Sequence, residues 1–74
     1  METRDTVRMA NQIATFCKGY GADAAKETAD HINRFWDPRM RKTLLAYLAK
    51  GGEGLDPLVK ESVAAIRPPP AASP

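Results

Sequence analysis

His31-Ile32-Asn33-Arg34-Phe35-Trp36-Asp37-Pro38-Arg39-Met40-Arg41 reads as the end of one helix and the start of the next. Proline disfavours the helical region for the residue before it, so a helix arriving through Phe35 and Trp36 stops near Asp37. Aspartate is a favoured N-cap and proline a favoured first helical residue, so a second helix begins at once. The stretch holds the only tryptophan, the only histidine and one of the two phenylalanines. Arg34, Arg39, Arg41 and Lys42 crowd around it against Asp37 alone. It predicts a sharp helical corner with aromatics on one side and cations on the other.

Outward from the corner, the rest of the chain repeats helical punctuation. Upstream, a helix is expected from about Asp23, as N-cap, to Trp36, with Ala25, Ala29, Ile32 and Trp36 as its apolar stripe and Thr28 and Phe35 at the edge. Before it, a first helix is expected from about Asp5 to Tyr20. Met9, Ile13, Phe16 and Tyr20 share a face at i, i+4, i+7 and i+11, flanked by Ala10 and Cys17. Gly19 and Gly21 end it. Downstream, Pro38 to Lys50 forms a third helix with Met40, Leu44, Tyr47 and Leu48 inward. Gly51-Gly52 stops it. Asp56-Pro57 repeats the cap-and-proline device for a fourth helix, with Val59, Val63 and Ile66 as its apolar edge and Leu58 beside them. Pro68-Pro69-Pro70 cannot continue that helix beyond Arg67. No strand pattern appears. The expected fold class is therefore all-α: a small bundle of three to four short helices over residues 5–67, with a disordered Pro-rich C-terminal tail over 68–74. A PxxP-type ligand is an alternative use of that tail.

Size and composition narrow the function. A chain of 74 residues makes one small domain whose single core supplies only a few kcal/mol. Cys17 is the only cysteine, so no disulfide can staple it, and one Cys with one His makes no zinc site. A partner protein is the simplest source of the missing support. The lone thiol and the absence of an export signal or apolar span are the reasons to expect the cytoplasm. A net charge of +2 and a pI near 8.9 do not mark a nucleic-acid binder, although Arg34, Arg39, Arg41 and Lys42 keep a small helical nucleic-acid-binding regulator as the alternative reading.

Catalytic sets are not evident. Cys17 reads as a small core residue rather than a nucleophile, since only His31 could serve it as base. His31 reads as a helical edge residue near Glu27 and Phe35. Gly51-Gly52-Glu53-Gly54 reads as a turn, because no strand precedes it and no Lys-Ser or Lys-Thr pair follows. What remains is binding. Trp, Arg and Met are enriched in interfaces, so Arg34, Phe35, Trp36, Arg39, Met40 and Arg41 are the expected partner-binding residues. Trp36 fits a core role as well as a contact. Its full burial removes about 150–250 Å² from water, about 4–6 kcal/mol gross. Arg41, in the position for a staple with Trp36, is expected to make a cation–π contact there.

Three segments carry a resemblance. They are Val7-Arg8-Met9-Ala10-Asn11-Gln12-Ile13-Ala14, then His31-Ile32 with Arg34-Phe35-Trp36-Asp37-Pro38-Arg39-Met40-Arg41, and then Gly51-Gly52-Glu53-Gly54-Leu55 with Pro57-Leu58-Val59. Together they closely resemble the small delta subunit of the cytoplasmic, molybdenum- or tungsten-dependent, NAD-linked formate dehydrogenases, over about residues 7–66. The resemblance implies a non-catalytic accessory subunit of a hetero-oligomer, supporting assembly, cofactor maturation or stability. It implies no cofactor in this chain. The partner subunits are expected to carry the molybdenum or tungsten bis-pterin, iron–sulfur clusters, FMN and NAD, with the large (alpha) subunit as the contact and neither nucleic acid nor membrane as a partner.

Overall fold

A computed structural model of the chain describes residues 2–68. The expected helical tail boundary therefore lies at its edge, and the reading of residues 69–74 lies outside the described residues. Four α-helices occur in order, with no strand among the described residues: α1 Thr3–Cys17, α2 Ala24–Phe35, α3 Pro38–Ala49 and α4 Pro57–Ser62. Short 3-10 segments, Lys18–Asp23 and Val63–Ala65, follow α1 and α4. The all-α class is as expected. The first helix begins at Thr3, earlier than expected, and its α-helical part ends at Cys17, tightening to a 3-10 segment that kinks at Gly21, at φ 60°.

The corner forms as its residues dictate. Asp37 is extended and its carboxylate accepts the Met40 N–H at 2.9 Å, with Pro38 at the first helical position. Asp56 does the same for α4, accepting the Leu58 N–H at 2.9 Å. Asp23 precedes α2 but makes no side-chain cap. Between α3 and α4, Gly52 is buried at φ 62°. A Cβ there would meet Leu48 Cδ2 at 3.2 Å and Leu55 Cδ1 at 3.3 Å, so both backbone sign and space favour glycine. Tyr47 donates its hydroxyl to the Glu53 carbonyl and holds the same turn.

The core is built from small residues. α1 packs on α2, α3 and α4, and α2 packs on both α1 and α4. Ala10, Ala14, Cys17, Ala24 and Ala29 are buried beside Ile32, Trp36, Leu44, Leu55, Val59 and Ile66. Three buried hydroxyls join them without an unmet bond. Thr28 donates to the Ala24 carbonyl at 2.8 Å, Ser62 to Val59 at 2.7 Å and Thr6 to Glu2 at 3.4 Å. Returning each hydroxyl to its own helix removes the cost of burying it.

This rotates the inward face of α1 from the expected stripe. Met9 and Ile13 are only partly buried, while Phe16 is 74 % and Tyr20 51 % exposed. The inward face is instead Thr6, Ala10, Ala14 and Cys17. Close approach to Ala29 and Thr28 of α2 requires small side chains at the seam, which displaces the larger ones to its rim. Val63, just after α4, is likewise more exposed than expected, and Leu55, just before it, and Ser62 are buried.

Two asparagines fasten α4 at either end. Asn11 of α1 donates to the Gly54 carbonyl at 3.0 Å and accepts from the Asp56 N–H at 2.8 Å. Asn33 of α2 donates to the Ala65 carbonyl at 2.9 Å and accepts from the Arg67 N–H at 2.8 Å. Each amide spends its donor and its acceptor on backbone groups two residues apart. A six-residue helix has little stability of its own, so these brackets hold it against α1 and α2.

Candidate functional site

The six residues expected to bind a partner do not share one surface. Trp36 is 5 % exposed and belongs to the core cluster. Arg41 does not stack on its ring. Its guanidinium donates to the Trp36 carbonyl at 2.8 Å and to the Arg67 carbonyl at 3.0 Å. The cation–π expectation gives way to a cap: carbonyls at the end of α2 are left without helical partners and point along the axis, where an arginine fork meets them. Arg41 thereby ties the corner to the end of the α4 segment. Arg34, Phe35 and Arg39 are exposed, and Met40 is half-buried. Neither Arg34 nor Arg39 makes an ion pair among the described residues, whereas Lys18 pairs with Asp56 at 2.9 Å.

A groove opens on the α1–α2 face, with a volume of about 390 Å³. Met9 and Ile13 of α1 and Met40 of α3 line it and pack against the core. Phe16 and Phe35, 74 % and 69 % exposed, line it too, with Trp36 reaching it from the core. Gln12 and His31 supply its polar groups. The His31 and Phe35 rings lie 4.8 Å apart at a 44° tilt, one helical turn apart on α2, which limits the freedom of Phe35 before any partner arrives.

Two phenylalanines are this exposed because the seam behind them admits only alanine, threonine and cysteine. Burying a phenylalanine side chain is worth about 1.5–3 kcal/mol, and in this groove neither has been buried. Contiguous apolar surface of that kind, with two methionines and a polar rim, marks protein contact. Phe35 and Met40 were legible from the corner. Met9, Ile13 and Phe16 were read as an inward stripe, of which Met9 and Ile13 do pack against the core while Phe16 is exposed. The available signal was the parallel run Thr6, Ala10, Ala14 and Cys17, whose small residues suit a helix–helix seam better.

Chemical groups for catalysis are sparse. Among the described residues no group of three or more His, Cys, Asp or Glu gathers to hold a metal ion. Cys17 is a free thiol, buried beneath the seam. Asp56 has a displaced titration. The Leu58 N–H and then the Lys18 ammonium hold its carboxyl below the usual range, which is the signature of a helix cap. No helix of the described residues is long and apolar enough to cross a membrane.

A family model described as NADH-dependent formate dehydrogenase delta subunit FdsD matches residues 6–63. Searches among curated proteins and solved structures found no match. The matched span runs from α1 through α4 and takes in the corner, the groove and the Asn11 bracket, while the Asn33 partners Ala65 and Arg67 lie just beyond it.

Proposed function

The chain belongs to the family of NADH-dependent formate dehydrogenase delta subunits, and from that premise we propose that it is a non-catalytic accessory subunit that docks on the enzyme through the α1–α2 groove. Membership in the family implies a place in a hetero-oligomeric complex. The contact is the large (alpha) subunit, and the partner subunits carry the molybdenum or tungsten bis-pterin, iron–sulfur clusters, FMN and NAD site. The chain works in the cytoplasm, where docking supports assembly, cofactor maturation or stability of the complex.

The observation that carries the reading is the exposure of Phe16 and Phe35 over the Met9–Ile13–Met40 floor. A chain this small buries little area of its own, so leaving two phenylalanines in water costs solubility without helping its fold. Covering them against a partner supplies the support that the core lacks. Arg34, exposed and next to Phe35 in sequence, is the cation we assign to a partner carboxylate, which its planar fork suits. Trp36 and Arg41 act at one remove by holding the corner that carries Phe35 and Met40.

The test is to co-express the tagged enzyme with the chain carrying Phe16→Ser and Phe35→Ser together. The expected result is at least a tenfold loss of chain recovered with the complex and a matching loss of active enzyme, while the variant's circular dichroism and melting stay close to the parent's. Full recovery of the complex with the double variant would overturn the groove as the docking site. Crosslinks from the groove to a subunit other than the large one would overturn that choice of contact.

A further inference from the structure

The outward face of α3 is a second surface, separate from the groove. Arg39, Lys42, Ala46 and Lys50 recur at i, i+3, i+7 and i+11 and so lie along one side of the helix, spanning about 16 Å. α3 itself contains no acidic residue. The three cations are exposed, and none makes an ion pair among the described residues. They border a shallow depression of about 480 Å³ with Thr3 of α1 and Tyr47. Met40, one residue from Arg39, lines the groove instead, so α3 separates an apolar surface from a cationic one.

We infer that this α3 face binds a carboxylate-rich segment of a protein partner, laid along the Arg39–Lys42–Lys50 strip. Charge complementarity selects the ligand, and the ends of the strip select its class. Exposed Asp37 stands just before it and exposed Glu53 just after it. A nucleic-acid backbone carries phosphates past both ends and would meet those carboxylates, as would an anionic lipid surface. A short acidic segment ends within the strip. Thr43 and Tyr47 beside the cations already donate their hydroxyls to the Arg39 and Glu53 carbonyls, so the cations are the groups left to meet the ligand. Lys50 was not among the residues expected to bind, and Lys42 was so only in the nucleic-acid alternative. The helical face brings them to Arg39, while Arg41, nearer in sequence, is turned away to the corner.

The inference goes beyond the formate dehydrogenase reading and is tested without that enzyme. The probe is a fluorescein-labelled oligoglutamate peptide, with binding to the full chain followed by anisotropy at rising salt. The Arg39→Glu, Lys42→Glu and Lys50→Glu triple variant is expected to bind at least about tenfold more weakly, the factor that three exposed ion pairs supply together. A control with Arg4→Glu, Lys26→Glu and Lys60→Glu changes the net charge equally and is expected to bind within about twofold of the parent. Circular dichroism of both variants confirms the fold. Equal losses in the two triple variants would reduce the effect to net charge and overturn the site. Tighter binding of duplex DNA, or of phosphatidylserine vesicles, than of the peptide at the same salt would overturn the ligand class.

Discussion

α2 has two working sides, and they solve opposite problems. One side carries Asn33 and meets α4, where every polar group offered to the seam finds a backbone partner and the apolar residues are buried. The other side carries His31 and Phe35 and, with α1, borders the groove, where large apolar groups stand in water. The difference teaches that side-chain size is not a guide to burial in a domain this small. Alanines and hydroxyls are buried where α1 approaches α2, and Ile32, Leu55, Val59 and Ile66 are buried with them. The phenylalanines are left for the open side.

The widest expected gap between the two sides is in core truncation. Ile32→Ala and Leu44→Ala remove fully buried side chains and are expected to cost about 2–5 kcal/mol each. Thermal or urea melting measures the loss. A cost under 1 kcal/mol at both would mean that the closed side is not the source of stability, and the contrast would fail.

Asparagine brackets come next. Asn33→Ala and Asn11→Ala each remove two hydrogen bonds and are expected to cost about 1–2 kcal/mol, since exposed partners recover part of the loss from water. Hydrogen exchange sharpens the point: protection should fall first in the α4 amides and less in α1. Uniform loss across all helices would show that α4 is not held separately.

Acid acts at one end of that same closed side. The folded carboxyl of Asp56 titrates below its unfolded value of about 3.9, owing first to the Leu58 N–H and then to Lys18. A lowered folded pKa means stability that is present above about pH 3.9 and is lost as pH falls through the folded value. The parent should therefore exceed Asp56→Asn in melting temperature at pH 7, and the gap should close on acidification below pH 4. Lys18→Met should narrow the gap without abolishing it, because the backbone donor remains. A gap that widens in acid would reverse the assignment.

The smallest stability effect is expected on the open side. Phe16→Ser and Phe35→Ser should shift stability by no more than about 0.5 kcal/mol, because these rings contribute little burial to the isolated chain. A loss comparable to that of Ile32→Ala would show that the groove is part of the core and erase the difference between the two sides.

Much of this molecule was legible in its residues. The Asp37-Pro38 and Asp56-Pro57 starts, the glycine stops and the helical class all follow from local backbone chemistry, which acts over three or four residues. Phe35 and Met40 could be named as contact candidates on residue type alone. The facing of α1 could not, because two parallel stripes had helical spacing and periodicity does not say which one meets another helix. The roles of Asn11 and Asn33 were hidden for a related reason: their partners lie 43 and 45, and 32 and 34, residues away.

Arg41 shows the division most clearly. The sequence by itself determined that a cation would stand one turn into α3, beside a corner that proline and aspartate enforce. It also determined, through the Asp-Pro caps, where α3 and α4 begin. Tertiary structure alone decided that the guanidinium bonds the Trp36 and Arg67 carbonyls, while helical spacing already set Arg39 beside Lys42 and Lys50. It alone turned alanines inward and Phe16 outward. The physical reason is range. Capping and φ preferences are settled between neighbours in the chain, whereas burial is settled by which surfaces can approach closely enough to exclude water, and that depends on every helix at once.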